Sequence, residues 1–308
     1  MNTRNHFEPA LPRALKRGDT LGVVAPAGPF EHRLFDAGVR VLESMGFNLA
    51  IREAIFLKKG YLAGSDLSRA DLLNRMFADP EIDGIICARG GYGTMRILPL
   101  LSVETIARHP KVFVGFSDIT ALLGFLVQPC RMVAFHGPTV TTLANGDPST
   151  RDHFWSALTQ TTPLTLAAAS KRVIRPGRAA GRFLCGNLTL FSHLTGTPFQ
   201  PDFKDSILLI EDQGEAPYRV DRMLTQMLLA GCFDGLAGLV LGSFNRCGPP
   251  EEIHRIVADR MGGLAIPVLA GFDVGHDAVN MTLPVGLPVQ LDTASGTLAF
   301  SGPALRER

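Results

Sequence analysis

The chain has 308 residues, of which 46% are hydrophobic and 19% are charged, a balance that excludes intrinsic disorder. A chain of this length can form one large or two medium domains with a buried core. Lys and Arg number 30 against 29 Asp and Glu, so the formal charge is +1 and we expect neither nucleic acid nor a membrane as a partner.

The cysteines and the N-terminus indicate a reducing compartment. The five cysteines are odd in number, widely spaced and without a CxxC pair: Cys87, Cys130, Cys185, Cys232 and Cys247. We expect small apolar side chains here, not a disulfide framework or a zinc site. Residues 1–19 contain charges throughout and no apolar signal core, and the apolar run at 119–130 is too short to span a bilayer. These features predict a cytoplasmic protein.

The first half of the chain alternates between predicted strands and helices. Short apolar strands are expected at 21–26, 47–51, 83–88 and 111–116, and helices at 31–45, 65–77 and 121–127. This alternation predicts a doubly wound α/β domain over residues 1–140, with ligands bound at the carboxyl ends of the strands.

The second half begins after a looser segment. Turn residues cluster between 141 and 176, which we interpret as a linker with one short helix near Trp155. A second domain is predicted over 177–308. Its expected strands are 206–210, 237–241 and 266–270, with a hairpin over 289–300 and helices at 218–230 and 251–261.

A serine stands between a predicted strand and a predicted helix. The run Gly115-Phe116-Ser117-Asp118 leads from the apolar strand directly into the helix at 121–127. Such a turn is typical of a nucleophile elbow, which exposes the hydroxyl beside a helix N-terminus. Ile119 stands where the usual elbow has glycine, and Ser and Asp are also favoured helix caps. On pattern alone, both interpretations stay open.

A glycine-rich turn follows the strand at 83–88. Gly90, Gly91 and Gly93 allow positive φ angles and a close approach of backbone amides to a ligand, as in an oxyanion hole or an anion nest. A plain tight turn fits equally well. Neither a dinucleotide fingerprint nor a P-loop can be placed on this sequence.

Acids and a histidine follow strands of the second domain. Glu211, with Asp212 and Glu215 after it, ends the strand at 206–210, where α/β folds place active-site carboxylates, although solvated loop charges also occur there. His276 follows another strand between small residues; a structural histidine is the alternative, and His136 is a similar candidate. Serine, acid and histidine at strand ends are the groups that nucleophilic acyl transfer requires.

The motifs occur as an ordered set along nearly the whole chain. They are Val23-Val24-Ala25-Pro26, Arg89-Gly90-Gly91-Tyr92-Gly93, Gly115-Phe116-Ser117-Asp118, Gly186-Asn187-Leu188, Glu211-Asp212 with Glu215, Tyr218, Asp221 and Arg222, and Gly275-His276 with Asn280, Thr282-Leu283-Pro284 and Gly286. This set resembles the LD-carboxypeptidase family of serine peptidases, the murein tetrapeptide carboxypeptidases. Cys185 departs from the glycine that the family often has before Gly186.

The resemblance implies a role for each candidate residue. Ser117 would be the nucleophile, His276 the general base and acid, and Glu211 the carboxylate that orients the histidine. The amides of Gly91 and Asp118 would form the oxyanion hole. The implied fold is a flavodoxin-like N-terminal domain with a parallel sheet and a C-terminal α/β domain of mixed strands, with the active site between them and usually a homodimer.

The resemblance also implies a substrate. It is a murein tetrapeptide, cleaved between meso-diaminopimelate and the terminal D-alanine during cell-wall recycling, with no cofactor. Within the same family, microcin C immunity peptidases cleave peptidyl or aminoacyl nucleotide conjugates; they tend to be longer and stack an aromatic residue on the nucleobase, whereas Trp155 is the single tryptophan here. From a different class, a non-catalytic module could use Ser117 and the glycine turn to bind a small molecule. A nucleotidyl or glycosyl transferase is disfavoured because no phosphate-loop motif is present.

Overall fold

The computed structural model describes residues 9–307, which form two β-sheets flanked by helices. The elements of the first part are β1 Thr20–Val24, α1 His32–Ser44, β2 Asn48–Ala50, α2 Asp66–Ala78, β3 Gly84–Cys87, α3 Thr94–Ile97, α4 Val103–Arg108, β4 Val112–Gly115, α5 Thr120–Val127, β5 Ala134–His136, α6 Val140–Leu143 and α7 Pro148–Thr159. Short 3₁₀ turns lie at Glu53–Phe56, Leu98–Leu100 and Ser117–Ile119.

The second part contributes most of the larger sheet. Its elements are β6 Thr165–Ala167, β7 Arg172–Arg175, β8 Arg178–Asn187, α8 Leu188–Leu194, β9 Ser206–Gln213, α9 Pro217–Leu229, β10 Gly238–Asn245, α10 Pro250–Arg260, β11 Val268–Ala270, β12 Leu283–Val285, β13 Pro288–Asp292 and β14 Thr297–Phe300.

The first sheet has six strands in the order β2-β1-β3-β4-β5-β12. The first five run parallel in the flavodoxin-like order, and β12 pairs antiparallel with β5. Every residue of β3 and β4 is buried, because helices cover both faces of a parallel sheet. The predicted flavodoxin-like sheet is confirmed, and its strands β3 and β4 end side by side.

The second sheet has eight strands in the order β6-β14-β13-β8-β9-β10-β11-β7. Strands β8 to β11 are parallel, and antiparallel strands flank them on both sides. On one face lies α9, whose buried side chains recur at helical spacing: Val220, Met223, Leu224 and Met227. The expected second α/β unit of mixed strands is therefore confirmed.

Two segments connect the sheets. Strand β12 lies beyond His276 in the chain but belongs to the first sheet, whereas segment 141–176 supplies α7 and the edge strands β6 and β7 of the second. The domain limits at residues 140 and 177 stay a prediction. Within residues 9–307, no helix has both the length and the apolar character that crossing a membrane would require.

Candidate active site

Ser117 occupies a strained turn between β4 and α5. Its φ is 65°, a left-handed conformation that is uncommon for a residue other than glycine. The turn is crowded, since a Cβ on Gly115 would lie 2.8 Å from Ile119 Cγ2 and one on Gly90 would lie 2.9 Å from Ser117 Cβ. Within the described residues, the Ser117 side chain makes no capping hydrogen bond to the helix that follows. The backbone therefore holds the hydroxyl out of the sheet, as in a nucleophile elbow.

The glycine turn after β3 packs beside this elbow. Gly91 has a φ of 113°, and Gly28 N–H donates to the Gly90 carbonyl at 3.2 Å. A Cβ on Gly91 would lie 3.4 Å from Gly28 Cα. Between residues 9 and 307, neither the Gly91 amide nor the Asp118 amide donates a hydrogen bond. Two backbone donors beside Ser117 are thus free for a ligand oxygen.

Glu211 and His276 meet at the end of the second sheet. The Glu211 carboxylate, fully buried on β9, accepts a hydrogen bond from His276 Nδ1 at 2.6 Å. This bond assigns the Nδ1–H tautomer to the neutral imidazole and leaves Nε2 as an acceptor. The imidazole is further held by Phe116, whose ring centroid lies 4.8 Å from its own. The histidine is therefore fixed in orientation from two sides.

The backbone of His276 is held by a residue that sequence analysis did not identify. Its N–H donates to Ser243 Oγ at 3.0 Å. Ser243 lies in β10 where the register with β9 shifts between Leu241 and Phe244, an irregularity that re-aims side chains near active sites. No sequence pattern marked this serine.

Asn187 connects Glu211 to the first sheet. Its Nδ2 donates to Glu211 Oε1 at 3.3 Å and to Asp212 Oδ1 at 2.9 Å, and its backbone N–H donates to Thr120 Oγ1 at 2.9 Å. Asp212 also accepts a bond from the Thr189 amide at 2.9 Å. Asn187 and Asp212 stood within the quoted motifs without an assigned role; the structure shows that Asn187 donates to the buried Glu211 carboxylate and that Asp212 anchors Asn187.

Two glycines allow this close packing. Gly275 has a φ of 125°, and a Cβ there would lie 2.6 Å from both Glu211 Oε2 and Ser243 Oγ. A Cβ on Gly186 would lie 2.3 Å from Thr120 Cγ2. The neighbouring Cys185, the departure from the family pattern, is buried without disturbing this contact.

The pKa values of Glu211 and His276 are both raised, but for different physical reasons. Burial raises the pKa of Glu211, and the charge of Asp212 adds to this effect while the hydrogen bond from His276 opposes it. Burial lowers the pKa of His276, but the hydrogen bond and charge of Glu211 outweigh burial, so its pKa is raised. Burial also raises the pKa of Asp118.

An open cleft of about 620 Å³ collects most of the predicted residues. Its wall includes Ser117, Gly91 and His276, contributed by both sheets. Glu211 lies behind the histidine and not on the wall, and the Asp118 side chain turns away to accept the Thr94 amide at 2.9 Å. No hydrogen bond joins Ser117 to His276 among the described residues; such bonds commonly tighten when substrate binds.

The other candidates lie outside the cleft. His136 is fully buried on β5 behind Phe116, and burial lowers its pKa to about 3. Glu215 forms a partly exposed ion pair with Arg219. All five cysteines are free and buried. In the described part of the chain, no group of three or more His, Cys, Asp or Glu residues is placed to hold a metal ion.

The chain matches known proteins along most of its length. Residues 21–137 match the LD-carboxypeptidase N-terminal domain, and residues 180–291 match the LD-carboxypeptidase C-terminal domain. The probable murein peptide carboxypeptidase of Bacillus subtilis is 36% identical over 296 residues, which cover 93% of this chain and 92% of that protein.

Solved structures share the fold. The muramoyltetrapeptide carboxypeptidase from Oxalobacter formigenes superimposes with a TM-score of 0.82 at 29% identity, covering 91% of this chain and 97% of that one. The structure of MccF in complex with glutamyl sulfamoyl guanosine gives a TM-score of 0.89 at 25% identity, covering 97% and 100%. The Escherichia coli relative MccF is named as a microcin C7 self-immunity protein. With both family domains matched and both sheets shared, the chain belongs to the LD-carboxypeptidase family of peptidases.

Proposed function

We propose that this protein is a serine carboxypeptidase that removes the terminal D-alanine from murein tetrapeptides. The observation that supports this most directly is the 2.6 Å bond from His276 to the buried Glu211 at a cleft that also holds Ser117. A nucleophile, an oriented imidazole and free backbone amides are the parts of an acyl-transfer site. Relatives named as murein peptide carboxypeptidases support the substrate class.

The first half of the reaction forms an acyl-enzyme. His276 Nε2 takes the Ser117 proton as Oγ attacks the carbonyl carbon of the L-centre of diaminopimelate. The amides of Gly91 and Asp118 donate to the oxyanion, and Glu211 stabilises the imidazolium. His276 then gives its proton to the amine of D-alanine as the peptide bond breaks.

The second half returns the enzyme to its starting state. Water attacks the Ser117 ester and loses a proton to His276, and the imidazolium protonates Ser117 Oγ as the tripeptide leaves. Every group that moves a proton or binds the oxyanion belongs to the chain itself. The homodimer implied by the resemblance and the cytoplasmic location predicted from the cysteines and the N-terminus stay predictions.

The test is mass spectrometry of a muropeptide mixture after incubation with the purified protein. We expect tetrapeptides to lose one D-alanine, and Ser117→Ala to abolish this loss. Ser301→Ala, which changes an exposed serine near the C-terminus, is the matched control and should act like the wild type. An unchanged tetrapeptide, or cleavage at an internal bond, would contradict the proposal.

A second candidate function is hydrolysis of peptidyl or aminoacyl nucleotide conjugates. The likeness to MccF favours it. Against it, Trp155 packs on Phe47 with ring centroids 5.3 Å apart and is absent from the cleft wall, so it offers no stacking surface for a nucleobase. Comparing kcat/KM for a murein tetrapeptide and for an aminoacyl nucleotide conjugate separates the two functions.

A non-catalytic binding module makes a different prediction. A serine activated by the His276–Glu211 pair should react with a fluorophosphonate, whereas a serine that only binds ligand should not. Labelling of the wild type and of Ser301→Ala, but not of Ser117→Ala, would exclude the binding module.

A further inference from the structure

Arg89 places an unpaired positive charge on the wall of the cleft. Its exposed side chain borders the cleft, and Nη1 donates to the Pro29 carbonyl at 2.7 Å. Across residues 9–307, no carboxylate lies within salt-bridge distance of Arg89, whereas Arg69 and Arg96 are both paired with Asp66. Arg89 is therefore anchored at one N–H while its other donors and its charge stay free.

The residue after Arg89 lies close to the nucleophile. A Cβ on Gly90 would lie 3.1 Å from Ser117 Oγ, so the Arg89 Cα lies only one residue, about 3.8 Å along the chain, from that contact. In a peptide bound for removal of its last residue, the terminal carboxylate is one amino acid beyond the carbonyl that Ser117 attacks. The Arg89 side chain lines the same cleft as Ser117, where such a carboxylate would lie.

Charges on the two sides of the cleft give it a direction. Arg89 also borders a cavity of about 390 Å³ formed by the first sheet's loops, including Phe30 and Phe56. Asp277, held by a hydrogen bond from Asn245, borders a cavity of about 370 Å³ on the side of the second sheet, where Asp273 also lies and where the two carboxylates outnumber the one guanidinium, that of Arg246. A peptide carboxylate is attracted to the Arg89 side and repelled from the Asp277 side.

We propose that Arg89 binds the terminal carboxylate of the peptide substrate and so restricts cleavage to the last residue of a chain. This inference rests on the proposed carboxypeptidase function. The guanidinium is planar and can donate two parallel N–H bonds to a carboxylate, and the bond to Pro29 fixes its position before substrate arrives. Gly91 would then bind the oxyanion while Arg89, two residues earlier, binds the leaving residue.

The experiment compares two matched substrates, a murein tetrapeptide ending in D-alanine and the same peptide ending in D-alaninamide. The wild type should prefer the acid. Arg89→Gln should lower kcat/KM for the acid by about 10–100-fold, mainly through KM, and change that for the amide by less than about 3-fold. Arg89→Lys, which keeps the charge, should retain part of the preference. Arg40→Gln, an exposed position on α1, is the matched control and should match the wild type.

Two outcomes would overturn the inference. One is an unchanged acid-to-amide preference in Arg89→Gln; the other is an equal loss on both substrates, which would indicate that Arg89 only supports the glycine turn. Calorimetric binding of both peptides to Ser117→Ala, with and without Arg89→Gln, separates the inference from the proposed function. Arg89-dependent preference for the acid without D-alanine release by the wild type would refute the peptidase assignment and keep the carboxylate site.

Discussion

The two sheets contribute to the cleft in different ways. The first supplies Ser117 and Gly91 from turns that follow neighbouring strands, and both residues have positive φ angles, 65° and 113°. The second supplies Glu211 and His276, which are 65 residues apart in the chain and joined by one hydrogen bond. The part of the site on the first sheet depends on backbone geometry, and the part on the second sheet depends on a buried charge. Substitutions in the two parts should therefore reduce activity for different reasons.

The largest effect should come from the nucleophile. Ser117→Ala removes the attacking oxygen and should lower the rate of D-alanine release on the order of 10⁶-fold. Because the Ser117 hydroxyl makes no helix-capping bond in the described structure, the melting temperature should stay within a few degrees. D-alanine release and thermal unfolding check this. Near-normal release of D-alanine by Ser117→Ala would contradict the whole mechanism.

The next largest effect should come from removing the buried charge that the second sheet contributes. Glu211→Gln keeps the shape but removes the carboxylate that stabilises imidazolium, so kcat should fall by about 10²–10⁴-fold. Glu215→Gln is the control, because Glu215 forms an ion pair with Arg219 and does not line the cleft. Measurement of kcat for both variants checks this. An active Glu211→Gln with an inactive Glu215→Gln would mean that the wrong carboxylate was assigned.

The third effect should come from disturbing the backbone of the glycine turn that the first sheet contributes. Gly91→Ala places a Cβ at a φ of 113° and should displace the amide, lowering kcat by about 10²–10³-fold, the usual loss for one oxyanion donor. Gly18→Ala is the control, since Gly18 has a φ of 90°, no atom near its added Cβ and no contact with the cleft. If Gly91→Ala lost activity only in proportion to a large fall in melting temperature, while Gly18→Ala stayed like the wild type, the turn at Gly91 would be structural only.

The smallest effect is a shift of the pH profile. Protonated His276 cannot accept the serine proton, so kcat/KM should rise with pH through the pKa of His276, which is raised above its ordinary 6.5. In Glu211→Gln, burial still lowers this pKa but the carboxylate no longer raises it, so the acidic limb should move to lower pH. Rate measurements from pH 5 to 8 check this, and an unmoved limb would show that Glu211 does not set the proton affinity.

The sequence predicted the fold where local patterns agree with tertiary contacts. The apolar runs of β1, β3 and β4 and the amphipathic face of α9 correspond to elements of the structure within a few residues. Strand β8 was missed because its first half contains Ala, Gly and Arg and is only partly buried, so it shows no apolar run. Strand β12 was missed because it contains Pro284, which is tolerated at the edge of a sheet but weakens any strand pattern.

The residues of the site could likewise be predicted from the sequence only where a local pattern marked them. The elbow at Ser117 and the glycine turn were visible because each is a contiguous motif with one backbone requirement. The choice between Glu211 and Glu215 depends on burial: Glu211 is fully buried, whereas the Glu215 side chain is 24% exposed. Spacing cannot reveal that difference, and the resemblance supplied the choice. Ser243 left no signal, because its role arises from the shifted register of β10.

The return of β12 to the first sheet has a consequence for synthesis. The sheet that contains the Ser117 turn is closed at its β5 edge by Leu283–Val285, so this edge stays unpaired until the ribosome has made those residues. At about 5–20 residues per second, the roughly 150 intervening residues take on the order of 7–30 s to appear. The first sheet therefore completes only after the second sheet's central strands have been synthesised, so the scaffold around the nucleophile depends on a segment made after the whole parallel core of the other sheet.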